Sequence, residues 1–298
     1  MEPRKVILTV VPTGGSLTRD VNPNVPTQPT AIADVVAECA ELGASIAHMH
    51  ARLPDDSPTC DPGIYRSINE LVRQRCDIVV NNSAGGGASA GMIEEVNEGR
   101  FEVRFAERLR ALEAGAEMAS LNVQTVVAYS GEHEVLFSTS PRRCDELARV
   151  MLERAIKPEF EVFAPSDIGQ VNELIRSDLD KPPHAINLAL GFDRIFQGAM
   201  PYSPKTLQFL VELLPPACHF SVSGWQEAQL PATTQSVILG GHVRVGLEDS
   251  TYYATGVLAT NQDLVRRAVR IIRDLNCEPA TPAEARRMLG LPTTQTSD

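Results

Sequence analysis

The run Ser45-Ile46-Ala47-His48-Met49-His50 decides how the rest of the chain is read. It is short, apolar and strand-like. On a strand, residues two apart point to the same side. His48 and His50 therefore leave one face together, close enough to share a metal ion. Similar runs recur outward from it. Val6–Val11 precedes it; Asp77–Asn82, Met118–Asn122, Glu159–Phe163, Ala185–Leu190, His219–Ser223 and Val243–Leu247 follow. Helix-like segments lie between them, among them Ile32–Leu42, Glu102–Ala114 and Asp145–Ala155. Eight βα repeats within 298 residues match the count and length of a TIM barrel, so the expected fold is α/β, a (β/α)8 barrel forming one domain over 1–298. An open doubly wound sheet would place Gly-x-Gly-x-x-Gly after its first strand. Thr13-Gly14-Gly15-Ser16-Leu17 lacks that spacing. Thr281-Pro282-Ala283-Glu284 is a capping box with proline at the first helical position, which predicts a C-terminal helix over 281–289 and a frayed tail over 293–298.

The bulk composition excludes several classes. Formal net charge is −11, from 27 Lys and Arg against 38 Asp and Glu, and no basic run stands out, which argues against a nucleic-acid partner. No apolar run reaches the length of a membrane span, and the N-terminus runs straight into a strand pattern without a signal peptide. A cytoplasmic protein is expected. The six cysteines lack a Cys-x-x-Cys pair and read as free thiols.

Catalytic groups in such barrels sit at the C-terminal ends of the strands. His48 and His50 end strand two, Ser83 follows strand three, and Ser120 and Asn122 lie towards the end of strand four. Glu161 is in strand five, and Glu248 and Asp249 end strand eight. His184, His219 and His242 instead open their strands and belong to the opposite rim. A His-x-His pair with one carboxylate is a sufficient ligand set for a catalytic zinc with an open position, so His48, His50 and Glu248 are the metal candidates; iron or manganese would also fit imidazole and carboxylate. Arg244 shares strand parity with Gly246 and Glu248, faces the interior and needs a partner, for which Asp249 is the nearest. The Ser83-Ala84-Gly85-Gly86-Gly87 loop offers backbone amides to an anion, though it is not a Walker sequence. The proline-stiffened loop Asn22–Pro29 either covers the barrel mouth or leads into the helix at Ile32, and Trp225 either lines the mouth or, as a single tryptophan more often does, serves packing.

These residues resemble a known family. His48-Met49-His50-Ala51-Arg52, Ser83-Ala84-Gly85-Gly86 and the run from Gly240 to Asp249 look like the β-keto acid cleavage enzymes, with further likeness at Asn22-Pro23 and Lys157–Phe163, over most of the chain from Val6 to Leu289. The resemblance implies a zinc-dependent barrel, commonly a homotetramer, that condenses a β-keto acid with acetyl-CoA and releases acetoacetate and a new acyl-CoA. By position it places the zinc on His48, His50 and Glu248, proton abstraction on Asp249 supported by Arg244 and Ser83, and a strand-four hydroxyl on Ser120. Gly85, Gly86, Asn122 and Glu161 are the substrate-binding candidates. Ser16 stands where the family prototype carries a glutamate, and Gln226-Glu227 where related chains carry Gly-Arg. Rival readings are a metal-dependent aldolase or lyase without CoA, a zinc hydrolase of the amidohydrolase type, and a non-catalytic metabolite-binding barrel.

Overall fold

A computed structural model describes residues 2–89, 91–130 and 133–292. Eight parallel strands close into a barrel: β1 Leu8–Val10, β2 Ile46–Met49, β3 Val79–Ser83, β4 Met118–Asn122, β5 Lys157–Val162, β6 His184–Leu190, β7 Cys218–Gly224 and β8 His242–Val245. They follow one another in chain order around the ring, and β8 closes on β1 with Val243 opposite Leu8. At that seam Gly246 is required, because a Cβ there would run into the Val11 backbone.

Eight helices follow the strands in turn: α1 Pro29–Leu42, α2 Pro62–Arg75, α3 Phe105–Arg110, α4 Pro141–Glu153, α5 Pro165–Arg176, α6 Pro204–Glu212, α7 Gln229–Ile238 and α8 Asn261–Asp274. Alternation along the strands divides the core. Ala47, Val80 and Val243 face outwards and pack with helix residues such as Ile32, Ile68 and Leu264. Leu121, Phe160 and Leu188 do the same against Leu147 and Leu207 on the other side. Inward-facing residues form layers. Ile7, Ile46, Val79, Met118 and Ala185 make an apolar floor, packed against Ala285 and Leu289 of α9 (Pro282–Leu289). α9 is the helix the capping box predicted, and Arg286 ties it down through Glu117 and Asp77. The tail over 293–298 lies outside the described residues. Above the floor comes a buried polar layer that includes Thr9, His48, Asn81, Ser120, Glu159, Asn187 and Arg244.

Several expected boundaries are corrected. The first strand is divided: Leu8–Val10 joins the barrel, whereas Arg4–Val6 pairs with Cys277–Pro279 outside it. Asp77 and Ile78 lie before β3. The helix expected from Glu102 starts at Phe105, because Glu102 belongs to a hairpin of Ile93–Asn97 with Arg100–Val103, turned at Gly99. The helix expected from Asp145 starts at Pro141, where Ser140 caps it. An accessory five-stranded sheet was not foreseen. It joins that hairpin to Val126–Ser130, His133–Phe137 and Phe196–Gln197, so the connections after β3, β4 and β6 build one roof beside the barrel mouth. All six cysteines are free. Among the described residues no helix is long and apolar enough to cross a membrane.

Candidate active site

The C-terminal ends of the strands open into a cavity of about 640 Å³, the size of a small-molecule site. His48, His50 and Glu248 meet at one side of its floor, their ligand atoms all within 4.8 Å of one another. His50 Nε2 lies 3.5 Å and His48 Nε2 3.8 Å from Glu248 Oε1. His50 Nδ1 is 3.0 Å from the Gly86 carbonyl. A carbonyl only accepts, so Nδ1 donates to it, and this contact turns Nε2 towards the centre of the cluster. Burial pushes the His48 imidazole down to about 3, so this ring is neutral and able to ligate. His48 Nδ1 and Glu248 Oε2 are buried without a protein hydrogen bond among the described residues. Two imidazoles, one carboxylate and orphaned polar atoms are a donor set that fits a divalent cation.

Arg244 is the hub beside the cluster and is itself buried. Its Nε lies 3.0 Å from Asp249 Oδ2, its NH2 3.1 Å from Asp249 Oδ1 and 2.7 Å from Glu248 Oε1, and its NH1 3.5 Å from Glu161 Oε1. The two-pronged contact fixes the plane of the Asp249 carboxylate. Against the upward push of burial, the Arg244 guanidinium holds Glu248 well below the usual carboxylate range. A pairing arginine alone would also depress Asp249, but its complete burial outweighs Arg244 and raises it to about 6. Burial raises Glu161 to about 7 against the pull of the same arginine, and Glu159, which accepts from Asn81 at 2.8 Å, also shifts upward.

The loop after β1 is built to reach this floor. Gly14 has φ +72°, and a Cβ there would sit 2.7 Å from Glu248 Cγ. Arg52 holds the loop by donating to the carbonyls of Gly14 at 2.5 and 3.0 Å and of Leu17 at 2.9 Å. Farther along, Asn22 donates to the carbonyls of Thr251 and Ala259, each at 3.0 Å. The Asn22–Pro29 segment is therefore clamped beside the chain leaving β8 as it enters α1.

The residues singled out in the sequence separate into groups. His48, His50, Glu248, Asp249 and Arg244 come together as described. Gly85, Gly86, Asn122, Glu161 and Trp225 line the cavity. Ser83 lines it too, but its Oγ accepts from the Gly85 amide at 3.1 Å, so it is turned to its own loop rather than bonded to Asp249, and that amide is already committed. Ser120 is 2% exposed and sits in the polar layer below, off the cavity wall. His184, His219 and His242 lie at the opposite rim, which leaves the amidohydrolase reading without its later strand-end histidines. Several contributors went unnoticed in the sequence. Asn187 donates to Ser223 Oγ at 3.1 Å and accepts from Ser221 Oγ at 3.2 Å, and its side chain and that of Ser223 reach the cavity wall. Their signal was present: each is a polar residue at an inward position of an otherwise apolar run. Arg108, 1% exposed, donates to the Ala84 carbonyl at 3.0 Å and so braces the Ser83 loop from behind.

Comparison with known proteins adds an independent line. A family model described as beta-keto acid cleavage enzyme matches residues 5–291. A 3-keto-5-aminohexanoate cleavage enzyme of Fusobacterium nucleatum is 33% identical over 293 residues, covering 96% of this chain and 98% of that protein. A 3-dehydrocarnitine:acetyl-CoA trimethylamine transferase of Rhizobium meliloti is 31% identical over 297 residues, covering 97% of each. Among solved structures, apo ObcA aligns with a TM-score of 0.72 at 18% identity, covering 91% of this chain and 66% of that one; the likeness is one of fold.

Proposed function

The chain belongs to the β-keto acid cleavage enzyme family, and on that premise we propose that it condenses a β-keto acid with acetyl-CoA, giving acetoacetate and the CoA ester of the remaining fragment. The observation that carries the reading is the meeting of His48, His50 and Glu248 next to the Arg244–Asp249 pair on the floor of one cavity. His48, His50 and Glu248 would hold zinc or another divalent ion, which when bound supplies Lewis acidity to the keto acid oxygens.

Asp249 takes a proton from C2 of the keto acid. Burial makes it a stronger base than an exposed carboxylate, and Arg244 keeps it aimed. The C2 carbanion bonds to the acetyl carbonyl carbon, and CoA leaves as thiolate. The thiolate attacks the original ketone, the bond between that carbon and C2 breaks with its electron pair going to C2, and Asp249 returns its proton to C2, leaving acetoacetate and the new acyl-CoA. The negative oxygens formed on the way need preorganised donors, and Ser223 and Asn187 on the wall are the side chains placed to serve. Gly86 acts in a different way, its carbonyl holding the His50 ring. Ser83 sets the shape of its loop, and Ser120 contributes to the polar layer under the ligands.

The test is a coupled assay on zinc-loaded protein, following acetoacetate and acyl-CoA. Product is expected only with both substrates present; cleavage that proceeds equally without acetyl-CoA would replace this reading with an aldolase or lyase. Cytoplasmic location and homotetrameric assembly belong to the same proposal. Phe209 of α6 and Ile238 of α7 are left 46% and 66% exposed, which supports an assembly, and light scattering of the purified protein tests it.

A further inference from the structure

Four arginines are buried among the described residues: Arg52, Arg108, Arg244 and Arg286. Three of them are engaged, by charge or by hydrogen bonds. Arg244 is ringed by Asp249, Glu248 and Glu161, and Arg286 pairs with Glu117 and Asp77. Arg52 meets no carboxylate, but all three of its nitrogens donate to backbone carbonyls, those of Gly14, Leu17 and Asp56.

Arg108 is different. It stands on α3 and reaches the cavity wall behind the Ser83 loop. Its Nε donates to the Ala84 carbonyl at 3.0 Å, and its Nη1 to Thr139 Oγ1 at 2.7 Å and to the Ser138 carbonyl at 3.4 Å. All three acceptors are neutral. Nη2 has no partner among the described residues, and it is not sealed off, since the fully buried polar atoms left without a partner include none of Arg108. Glu161 acts on this guanidinium through space, but its own oxygen is turned to Arg244 at 3.5 Å. A buried cation without a counter-charge is costly, and an anion within hydrogen-bond reach relieves it. Burial accordingly pushes the Arg108 guanidinium below its ordinary value, whereas Arg244, against the same push, is raised well above it by Asp249 and Glu248.

We propose that Arg108 is an anion-binding residue of this cavity, its free Nη2 donating to a carboxylate of the acid substrate. The inference rests on the proposed cleavage of β-keto acids. It holds for either carboxylate such a substrate can carry: C1, present in all of them, or a second one at the far end of the chain. The guanidinium then has two duties, a brace for the Ser83 loop through Nε and a recognition point through Nη2. A small planar carboxylate suits a donor with so little open surface.

Calorimetry on the zinc-loaded protein without acetyl-CoA reads binding apart from turnover. Two pairs of ligands separate the two sources. Acetoacetate against acetoacetamide tests C1, because the amide keeps the shape and drops the charge. A β-keto acid ending in methyl, against one of matched length ending in carboxylate, tests the far end. Each pair is measured in wild type and in Arg108→Gln. The variant should narrow the affinity gap of one pair by roughly tenfold to a hundredfold, the range of a hydrogen bond to a charged group, and leave the uncharged-end member of that pair nearly unchanged. If neither gap narrows, Arg108 is a loop brace and the inference falls. An effect confined to the KM of acetyl-CoA would assign the donor to the cosubstrate and overturn it equally. Should the variant not fold, crystals of zinc-loaded wild type with acetoacetate and with the keto diacid decide. A carboxylate oxygen about 2.9 Å from Nη2 is expected, and none within reach in either complex overturns the inference. Absence of turnover with acetyl-CoA, beside intact Arg108-dependent binding, would instead remove the parent reading alone.

Discussion

The barrel carries two pairs of histidines with the same 5.3 Å between ring centroids and opposite fates. At the closed end His219 and His242 stack at 28°. The Ile7 amide donates to His242 Nδ1 at 3.1 Å, which leaves the proton on Nε2 to be shared with His219 Nδ1 at 3.2 Å. Every nitrogen of His242 is thereby occupied. At the open end His48 and His50 meet edge to face at 69° and turn their Nε2 atoms to one carboxylate, with His48 Nδ1 left unpaired. Proximity does not distinguish the pairs. Unfilled valence, and a carboxylate supplied from the end of β8, one strand beyond β1, do.

Substitutions can break that contrast. Glu248→Ala or His48→Ala should abolish bound metal and turnover together, read by elemental analysis and the coupled assay; an active metal-free variant would remove the cluster from the mechanism. Asp249→Asn should keep the metal and lose about a thousandfold in kcat, the range of a missing general base. Retention of full activity would end the base assignment. Chelation of the purified enzyme should lower its melting temperature as well as its activity, since ligand binding to the folded state alone contributes stability; zinc should restore both.

The closed-end pair sharpens the comparison through pH. Burial lowers His242 to about 3, whereas the unfolded chain protonates near the ordinary value of about 6.5. The unfolded state therefore binds more protons between those values. The contribution is complete above about pH 6.5 and is lost as pH falls towards 3, amounting to about 2 kcal/mol by pH 5. His242→Gln should flatten the acid limb of a denaturation series against wild type, and an unchanged limb would show that the ring is protonated in the folded state. The smallest effect is expected from His219→Ala. At the far rim it should leave kcat/KM within about twofold and metal content intact, as for substitutions away from a site.

How much of this was legible follows from where each signal resides. The barrel rhythm was visible because every strand is a compact apolar run. Inward parity placed His48, His50 and Glu248 because strand ends are local features. The accessory sheet was hidden, since its strands are short, partly charged and paired with segments far along the chain, as Phe196 is with Ala128. Glu102 read as helical because a polar edge hairpin has no alternation that points to a core. The aromatic contacts were equally hidden: Phe163 follows β5 and Phe196 follows β6, and only the folded ring brings their centroids to 5.6 Å. The direction of the Asp249 shift also depended on closure. The sequence supplies the arginine, whereas the depth of burial that outweighs it comes from the whole ring.

The helix under the floor has a consequence for assembly of the chain. All eight barrel strands precede α9, so during synthesis every strand of the ring leaves the ribosome before the plug does. Until then Ile7, Ile46, Val79 and Met118 lack the Ala285 and Leu289 side chains they pack with in the folded protein. Maturation should accordingly proceed in two stages, a loosely sealed cylinder first and a locked one after Leu289 docks.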